Sequence, residues 1–171
     1  MRNAVLYEPE IPQNTGNIMR TCAAFGWVLH LIEPLGFYLD EAHLKRAGMD
    51  YIAKMEYHVW PDWQTFYESH PGEYYFTTRY GTKTPDSFSY SAEKDLYLVF
   101  GKESTGIDKQ ILRDHLDRCM RIPMEPDARC LNVSNTAAIC MYEVERQLGF
   151  PGLSREEVQK GSDFLVRSAV L

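Results

Sequence analysis

Three short polar segments hold the residues of this chain that are best suited to chemistry. They span residues 8–20, 101–107 and 121–135. Each segment follows a short apolar run and leads into a helical pattern. Ligands of α/β proteins bind at such strand ends, where loops and helix starts present backbone N–H groups. Each segment is therefore a candidate ligand-binding segment.

The first segment places two amide side chains and one arginine on the same side of a helix. The helix face is formed by Gln13, Asn17, Arg20 and Ala24. Successive members are four, three and four residues apart, which places their side chains on one side of a helix. The planar, permanently charged guanidinium favours an oxyanion or a phosphate as its ligand. A solvated helix face capped by Asn14 is the alternative.

The second segment is a loop bounded by Gly101 and Gly106, between a buried strand and a helix. Glycine lets a ligand approach the backbone closely. The loop is not a P-loop, because Gly106 is followed by Ile107 and Asp108 instead of Lys and Ser or Thr. A GxGxxG pattern is also absent from the sequence, so a triphosphate or dinucleotide ligand is disfavoured.

The third segment joins a strand to the last long helix, and Pro123 and Pro126 make it irregular. Three polar residues, Asn132, Ser134 and Asn135, cluster where that helix begins. Capping by Ser134 or Asn135 explains one of them. The others are candidate ligand contacts.

The elements that position these segments alternate between strands and helices. Short apolar runs predict strands at residues 4–7, 27–32, 74–78, 96–100 and 119–122. Helical patterns lie at residues 15–25, 39–47, 61–69, 107–116 and 134–148, and Gly149 and Pro151 end the last one. The alternation predicts one α/β domain over residues 1–152, with a mostly parallel sheet flanked by helices.

Composition narrows the class of protein. The chain has 171 residues and a net charge of −6, which argues against a polybasic protein that binds nucleic acid over its whole surface. Its apolar runs are too short to cross a membrane, and no secretory signal is visible. Cys22, Cys119, Cys130 and Cys140 form no CxxC pair and are expected to be buried free thiols. We expect a cytoplasmic protein without membrane attachment or a bound metal.

Residues 153–171 form a C-terminal tail to which the sequence assigns no function. Ser154 and the acidic residues after it match a capping box, which predicts a short helix in this tail.

Together the three segments resemble the three motifs of the SPOUT class of S-adenosylmethionine-dependent RNA methyltransferases. Residues 14–20 (Asn-Thr-Gly-Asn-Ile-Met-Arg) are similar to motif 1 of its ribose 2′-O-methylating branch. Residues 100–106 resemble motif 2, and residues 122–134 resemble motif 3. The resemblance covers nearly the whole chain. It implies a C-terminal trefoil knot, S-adenosylmethionine as methyl donor, and a homodimer with two composite sites.

The resemblance also implies roles for individual residues. Those that would hold the methyl donor are Thr77, Gly101, Gly106, Ile122, Cys130 and Leu131. Those that would act at the ribose are Arg20 and Asn17, supported by Glu103, Asn132 and Ser134. Lys102 and Thr105 depart from the family pattern, which usually has proline and arginine there, and Cys130 stands where serine is frequent.

The implied substrate is the wobble nucleotide, cytidine or modified uridine, in the anticodon stem–loop of tRNA, with leucine tRNAs expected. Lys45 and Arg46 close a basic helix end and are candidate RNA contacts, with Tyr142 as a further candidate. A helix end whose lysine and arginine complement the dipole is the alternative for the first two. Core packing is the alternative for Tyr142.

Three other functions fit the sequence. The first is 2′-O-methylation of a different tRNA or rRNA ribose, by an enzyme of the same class. The second is a non-catalytic RNA-binding module of the same fold. The third is a small-molecule nucleotide-binding protein, which the missing phosphate motifs disfavour.

Overall fold

The computed structural model describes residues 1–39 and 55–167. Six strands form one sheet in which every pairing is parallel, so the predicted α/β architecture is confirmed. The strands are β1 (Arg2–Tyr7), β2 (Val28–Ile32), β3 (Tyr57–Trp60), β4 (Glu73–Thr77), β5 (Leu96–Phe100) and β6 (Cys119–Met120). Their order across the sheet is β3-β2-β1-β5-β4-β6.

Helices connect and flank these strands. They are α1 (Pro12–Phe25), α2 (Trp63–Ser69), α3 (Lys109–Asp114), α4 (Val133–Leu148) and a short α5 (Phe164–Arg167). As the sequence predicts, α4 ends before Gly149, which adopts the left-handed conformation at φ 78°.

Apolar cores lie on both faces of the sheet. On one face, α1 contributes Ile18 and Cys22 and α4 contributes Met141 and Val144. On the other face, Phe66 of α2 and Leu112 of α3 pack against the alternate side chains of the strands. All five residues of β5 are buried, which explains its continuous apolar sequence.

The two central strands, β1 and β5, send their chains to opposite faces. The segment after β1 becomes α1 on one face, whereas the segment after β5 leads to α3 on the other. Their carboxyl ends therefore flank a crevice at a topological switch point, where ligands of open α/β sheets bind. The first and second polar segments begin here.

Buried polar side chains tie α4 to the opposite, amino edge of the sheet. Glu145 of α4 is fully buried, and its carboxylate accepts hydrogen bonds from Arg2 Nη1 at 2.6 Å and from Trp27 Nε1 at 2.6 Å. Arg2 begins β1 and Trp27 precedes β2. The hydrogen bonds of Glu145 to Arg2 and Trp27 therefore fix the end of α4 against the starts of two strands.

A second buried polar chain runs through His30 of β2. Trp60 Nε1 donates to His30 Nδ1 at 3.1 Å, so His30 Nε2 carries the proton and donates to Asn3 Oδ1 at 3.1 Å. Burial, and then the neighbouring His70 and His58, lower the His30 pKa to about 3. The imidazole is therefore neutral at physiological pH.

Several predicted boundaries were wrong. β3 was missed because it is a sheet-edge strand whose pattern contains His58 and the half-exposed Val59. The helix predicted from Pro61 starts at Trp63, because the side chain of Asp62 accepts the Thr65 N–H and caps it. The helix predicted at residues 39–47 lies almost entirely outside the described residues.

The tail also differs from its prediction. Ser154 hydrogen-bonds within a turn at Glu156, and the four-residue α5 begins only at Phe164. The capping-box pattern at Ser154 therefore does not open a helix. Within residues 1–39 and 55–167, none of the helices has the length and apolar character needed to cross a membrane.

Candidate active site

A groove of about 410 Å³ lies between α1 and α4 and contains three of the predicted catalytic residues. They are Asn17, Arg20 and Ser134. Asn17 and Arg20 lie on the exposed face of α1, as their spacing predicts. The groove is also lined by Ala24 and Asn135, which the sequence analysis names. Its remaining lining residues, which that analysis does not name, are Thr21, Phe25 and Ala138.

Glu103, a fourth predicted catalytic residue, lies outside the groove and stabilises the start of α1. The N-cap residue Ile11 is apolar and has no side chain that could cap the helix. Instead the Glu103 carboxylate accepts the Glu10 N–H at 2.9 Å and the Ile11 N–H at 3.3 Å. A carboxylate from the second segment therefore caps the helix that presents Arg20.

Asn14 links all three polar segments. Its amide Nδ2 donates to Glu103 Oε1 at 2.8 Å, and its Oδ1 accepts from Asn132 Nδ2 at 2.9 Å. Asn132 in turn accepts from the N–H of Ser134 at 2.9 Å and from its hydroxyl at 2.6 Å. A continuous polar chain, Glu103–Asn14–Asn132–Ser134, thus runs from the second segment to the groove.

These hydrogen bonds correct two expectations. Asn14 does not cap α1, because its side chain bridges Glu103 and Asn132. The cap of α4 is Asn132 rather than Ser134 or Asn135, since its side-chain oxygen accepts the Ser134 N–H.

Two further glutamates clasp the first segment to the second. Glu10 accepts from the Ser104 N–H at 2.8 Å and from its hydroxyl at 2.7 Å. The hydroxyl bond, followed by the N–H bond, lowers the Glu10 pKa. Lys102 Nζ lies 2.5 Å from Glu8 Oε2, and this bond raises the Lys102 pKa. The departure from the family pattern at Lys102 therefore serves a contact between the two loops.

Backbone geometry explains both glycines of the second segment. A Cβ on Gly101 would lie 2.5 Å from the backbone of Gly106 and of Ile107, so only glycine fits there. Gly106 adopts φ +77°, and its N–H donates to the Lys102 carbonyl at 2.9 Å. The loop is a tight, preformed turn.

Three of the residues predicted to hold the methyl donor lie at or just beyond the carboxyl ends of neighbouring strands. Thr77 ends β4, Gly101 follows β5 and Ile122 lies two residues beyond β6, and these three strands are neighbours. The Thr77 hydroxyl donates to the Val99 carbonyl at 3.1 Å, which ties β4 to β5. Cys130 and Leu131 are exposed on the loop before α4.

Cys130 differs from its expectation as a buried thiol. The other three cysteines, Cys22, Cys119 and Cys140, are buried and free, as the sequence predicts. Burial raises the pKa of Cys22 and of Cys140 to about 12, so both thiols are protonated and unreactive.

The predicted substrate residues are only partly described. Tyr142 lies on α4 with 52% of its surface exposed, which excludes core packing as its role. Its ring centroid lies 5.5 Å from that of Phe150. Lys45 and Arg46 lie outside the described residues.

Comparison with known proteins places this chain in a family. The model of the SpoU rRNA Methylase family matches residues 1–142. The tRNA (cytidine(34)-2′-O)-methyltransferase of Escherichia coli K12 is 46% identical over 158 residues, which is 89% of this chain and 97% of that protein.

Solved structures agree with this match. One, described as structural insights into the 2-OH methylation of C/U34 on tRNA, has a TM-score of 0.81 and 38% identity. It covers 87% of this chain and 97% of its own. The SpoU methyltransferase AviRb of Streptomyces viridochromogenes, in complex with AdoMet, shares the fold at a TM-score of 0.74 and 22% identity, over 85% of this chain and 57% of its own.

Proposed function

The chain belongs to the SpoU rRNA methylase family, and from this premise we propose that it methylates the 2′-hydroxyl of the wobble nucleotide in tRNA. S-adenosylmethionine is the methyl donor, and the nucleotide is cytidine or modified uridine. Residues 7–12 (Tyr-Glu-Pro-Glu-Ile-Pro) resemble the opening of TrmL, the tRNA wobble-nucleotide 2′-O-methyltransferase. Leucine tRNAs are the proposed substrates.

One geometric observation supports this proposal. Asn17, Arg20 and Ser134 line one open groove, and a polar chain connects Ser134 to Glu103 at the edge where the donor would bind. Groups from all three motifs therefore converge. The named activity of the Escherichia coli relative supports the choice of tRNA position 34.

The edge formed by Thr77, Gly101 and Ile122 fits S-adenosylmethionine. The donor has an adenosine and an amino acid part but no phosphate, so it requires backbone groups and apolar surface rather than a phosphate-binding loop. Gly101 offers a preformed turn, and the exposed Leu131 offers apolar surface. AdoMet in the AviRb structure supports the same choice. When bound, the donor supplies an electrophilic methyl group on a sulfonium.

The chain's own residues position the ribose and handle one proton. With the donor bound, the ribose 2′-oxygen would accept its methyl group, a neutral thioether would leave, and the hydroxyl proton would be released. Arg20 stabilises the developing negative charge on that oxygen, and Asn17 orients the ribose. The proton passes to water, or to Arg20 only if its guanidinium has first lost a proton, because a charged guanidinium is a poor base.

Supporting residues keep Arg20 in place. Glu103 caps α1 and so holds the helix that presents Arg20. Asn132 and Ser134 hold the opposite side of the groove through their mutual hydrogen bonds. The chain is thus built to preorganise both sides of the ribose site.

We propose that the enzyme acts as a homodimer with composite sites. The exposed side of α4 carries Ile139, with 46% of its surface exposed, and Tyr142. Both lie on the helix that lines the groove, so a second chain packed there would complete the site. Two chains together carry a net charge of −12, so RNA recognition depends on local cations.

We also propose the domain organisation and the setting. Residues 1–152 form the methyltransferase domain with the trefoil knot that the family implies, and residues 153–171 form a tail. The last long helix, α4, ends at Leu148, which supports this boundary. We place the enzyme in the cytoplasm, where tRNA is modified, without a metal and without a membrane anchor.

Mass spectrometry of nucleosides tests the function. Bulk tRNA from a deletion strain, incubated with the purified protein and S-adenosylmethionine, should gain 2′-O-methylcytidine or the methylated uridine at position 34. Methylation elsewhere in tRNA, or in rRNA only, would replace this substrate. Donor binding without methylation of any RNA would favour the non-catalytic alternative.

A further inference from the structure

The edge formed by Thr77, Gly101 and Ile122 is called the donor edge below. Beside it lie three cationic side chains, on a chain whose net charge is −6. Residues 78–83 fold back against the end of β6. The Thr78 N–H donates to the Met120 carbonyl at 2.9 Å, and the Arg121 N–H donates to the Lys83 carbonyl at 2.8 Å. Arg121 Nη1 also donates to the carbonyl of Arg79 at 3.4 Å. These bonds bring together Arg79, Lys83 and Arg121, which we call the basic patch.

The packing of this segment is specific. A Cβ on Gly81 would lie 2.4 Å from the Met120 carbonyl carbon, so the backbones of the two segments are in direct contact. Lys83 extends over the Phe88 ring at 5.2 Å, and its Nζ donates to the Asp117 carbonyl at 3.1 Å. The path of the backbone is therefore fixed here, and two further contacts hold the Lys83 side chain.

Among the described residues, the basic patch has no acidic partner for its charges. Within residues 1–39 and 55–167, no carboxylate lies within 4.0 Å of the charged nitrogens of Arg79, Lys83 or Arg121. The neighbouring acid, Asp117, faces Arg118 at 3.7 Å instead. Arg79 and Lys83 are exposed, and Arg121 is half-buried. An anionic partner would find all three groups available.

An aromatic side chain completes the surface. Tyr80 is 68% exposed, and the Arg79 guanidinium carbon lies 5.9 Å from its ring centroid. Cations that bind phosphates, next to a ring on which a base can stack, are the combination by which proteins hold unpaired RNA.

We propose that the basic patch, with Tyr80, is a docking surface for the phosphate backbone of the tRNA substrate. Its residues adjoin Thr77 and Ile122 in the chain, so RNA held there lies beside the donor edge. This inference rests on the proposed function and adds contacts that neither Lys45 nor Arg46 provides. A protein of net negative charge needs such a local attraction to hold an anionic substrate.

Filter binding to bulk tRNA over a range of salt concentrations tests the proposal. The variants Arg79→Gln, Lys83→Gln and Arg121→Gln should each weaken tRNA binding about three- to tenfold and lower the slope of log K against log salt by about one. The triple variant should lose about 100-fold. Affinity for S-adenosylmethionine, measured by calorimetry, should stay within about twofold of wild type. Tyr80→Leu should weaken binding about tenfold, and Tyr80→Phe should restore it.

The matched control is Lys94→Gln. Lys94 is an exposed lysine just before β5, at the opposite edge of the sheet, and its loss should leave the salt slope unchanged. Patch variants that keep the wild-type slope and affinity, while the wild type binds and methylates tRNA, overturn the docking surface and leave the proposed function intact. A wild-type protein that binds the donor but no tRNA overturns both.

Discussion

Two glutamates at opposite edges of the sheet hold similar numbers of hydrogen bonds in different surroundings. Glu145, at the amino edge, is fully buried and accepts from Arg2 and Trp27. Glu103, at the carboxyl edge, is half-buried and accepts from Asn14 and from two backbone N–H groups at the start of α1. Both carboxylates join segments that are distant in sequence.

What differs is where each network leads. The contacts of Glu145 end inside the protein, so its charge stabilises the fold and nothing else. The contacts of Glu103 continue through Asn14 and Asn132 to Ser134 at the groove. We therefore propose that the buried, closed network of Glu145 is structural, and that the half-exposed network of Glu103, which opens into the groove, orients reacting groups.

Arg20→Ala tests the groove into which the Glu103 network opens, and it has the largest expected effect. Loss of the guanidinium should lower the methylation rate by at least about 10³-fold, or about 4 kcal/mol, because the alkoxide loses its stabilising charge. Donor affinity and thermal stability should change little. Methyl incorporation into tRNA and calorimetry with S-adenosylmethionine measure the two.

The matched control for this experiment is Arg113→Ala, an exposed arginine on α3, which packs on the opposite face of the sheet. It should keep wild-type activity. An Arg20→Ala enzyme within a few-fold of wild type would remove Arg20 from the mechanism.

Glu145→Gln tests the closed network. It should lower the free energy of unfolding by about 3 kcal/mol, because Arg2 loses its buried counter-charge. Urea denaturation measures this loss. The folded fraction should methylate tRNA at the wild-type rate, and a selective loss of kcat at full stability would contradict the structural role.

Glu103→Ala should have the opposite pattern, with a large loss of methylation and a small loss of stability. We expect methylation to fall about 100-fold, or about 2.7 kcal/mol, because α1 loses its cap and Arg20 shifts. The stability loss should be only about 1 kcal/mol, as for other helix caps. Glu103→Gln keeps one acceptor oxygen and should recover part of kcat. If stability falls as far as in Glu145→Gln, the contrast between the two carboxylates is wrong.

The smallest expected effect is a change of stability with pH that comes from His30, which is hydrogen-bonded to Trp60 and Asn3. Its pKa is about 3 in the folded protein and 6.5 in a model peptide, so the unfolded chain binds more protons between these values. Stability from this group is complete above pH 6.5 and declines as the pH falls. The loss between pH 7 and 5.5 should be about 1 kcal/mol.

Comparison with His30→Gln isolates that contribution. Urea denaturation at each pH should show a shallower decline for the variant, because it has no group that titrates there. Parallel declines for the two proteins would show that His30 is not the cause.

Most of the scaffold could be predicted from the sequence, because buried parallel strands have continuous apolar runs and α1 and α4 have clear apolar stripes. β3 escaped prediction because an edge strand carries polar and exposed residues such as His58. The face of Asn17 and Arg20 followed from helical spacing alone.

The support of the site could not be predicted in the same way. Asn14 has the residue type of a helix cap, but its partners lie 89 and 118 residues further along the chain. The same holds for Glu10, whose partner Ser104 is 94 residues away. Such contacts depend on which strands become neighbours, and local pattern carries no information about that.

The capping of α1 by Glu103 also sets an order of events during synthesis. Residues 10–14 leave the ribosome about 90 residues before Glu103, and synthesis proceeds at about 5–20 residues per second. For several seconds, any helix that residues 12–25 form in the nascent chain lacks the Glu103 cap at its start. The active site is therefore completed only when β5 joins β1 and Asn132 reaches Asn14, so translation can finish most of the fold before the enzyme becomes competent.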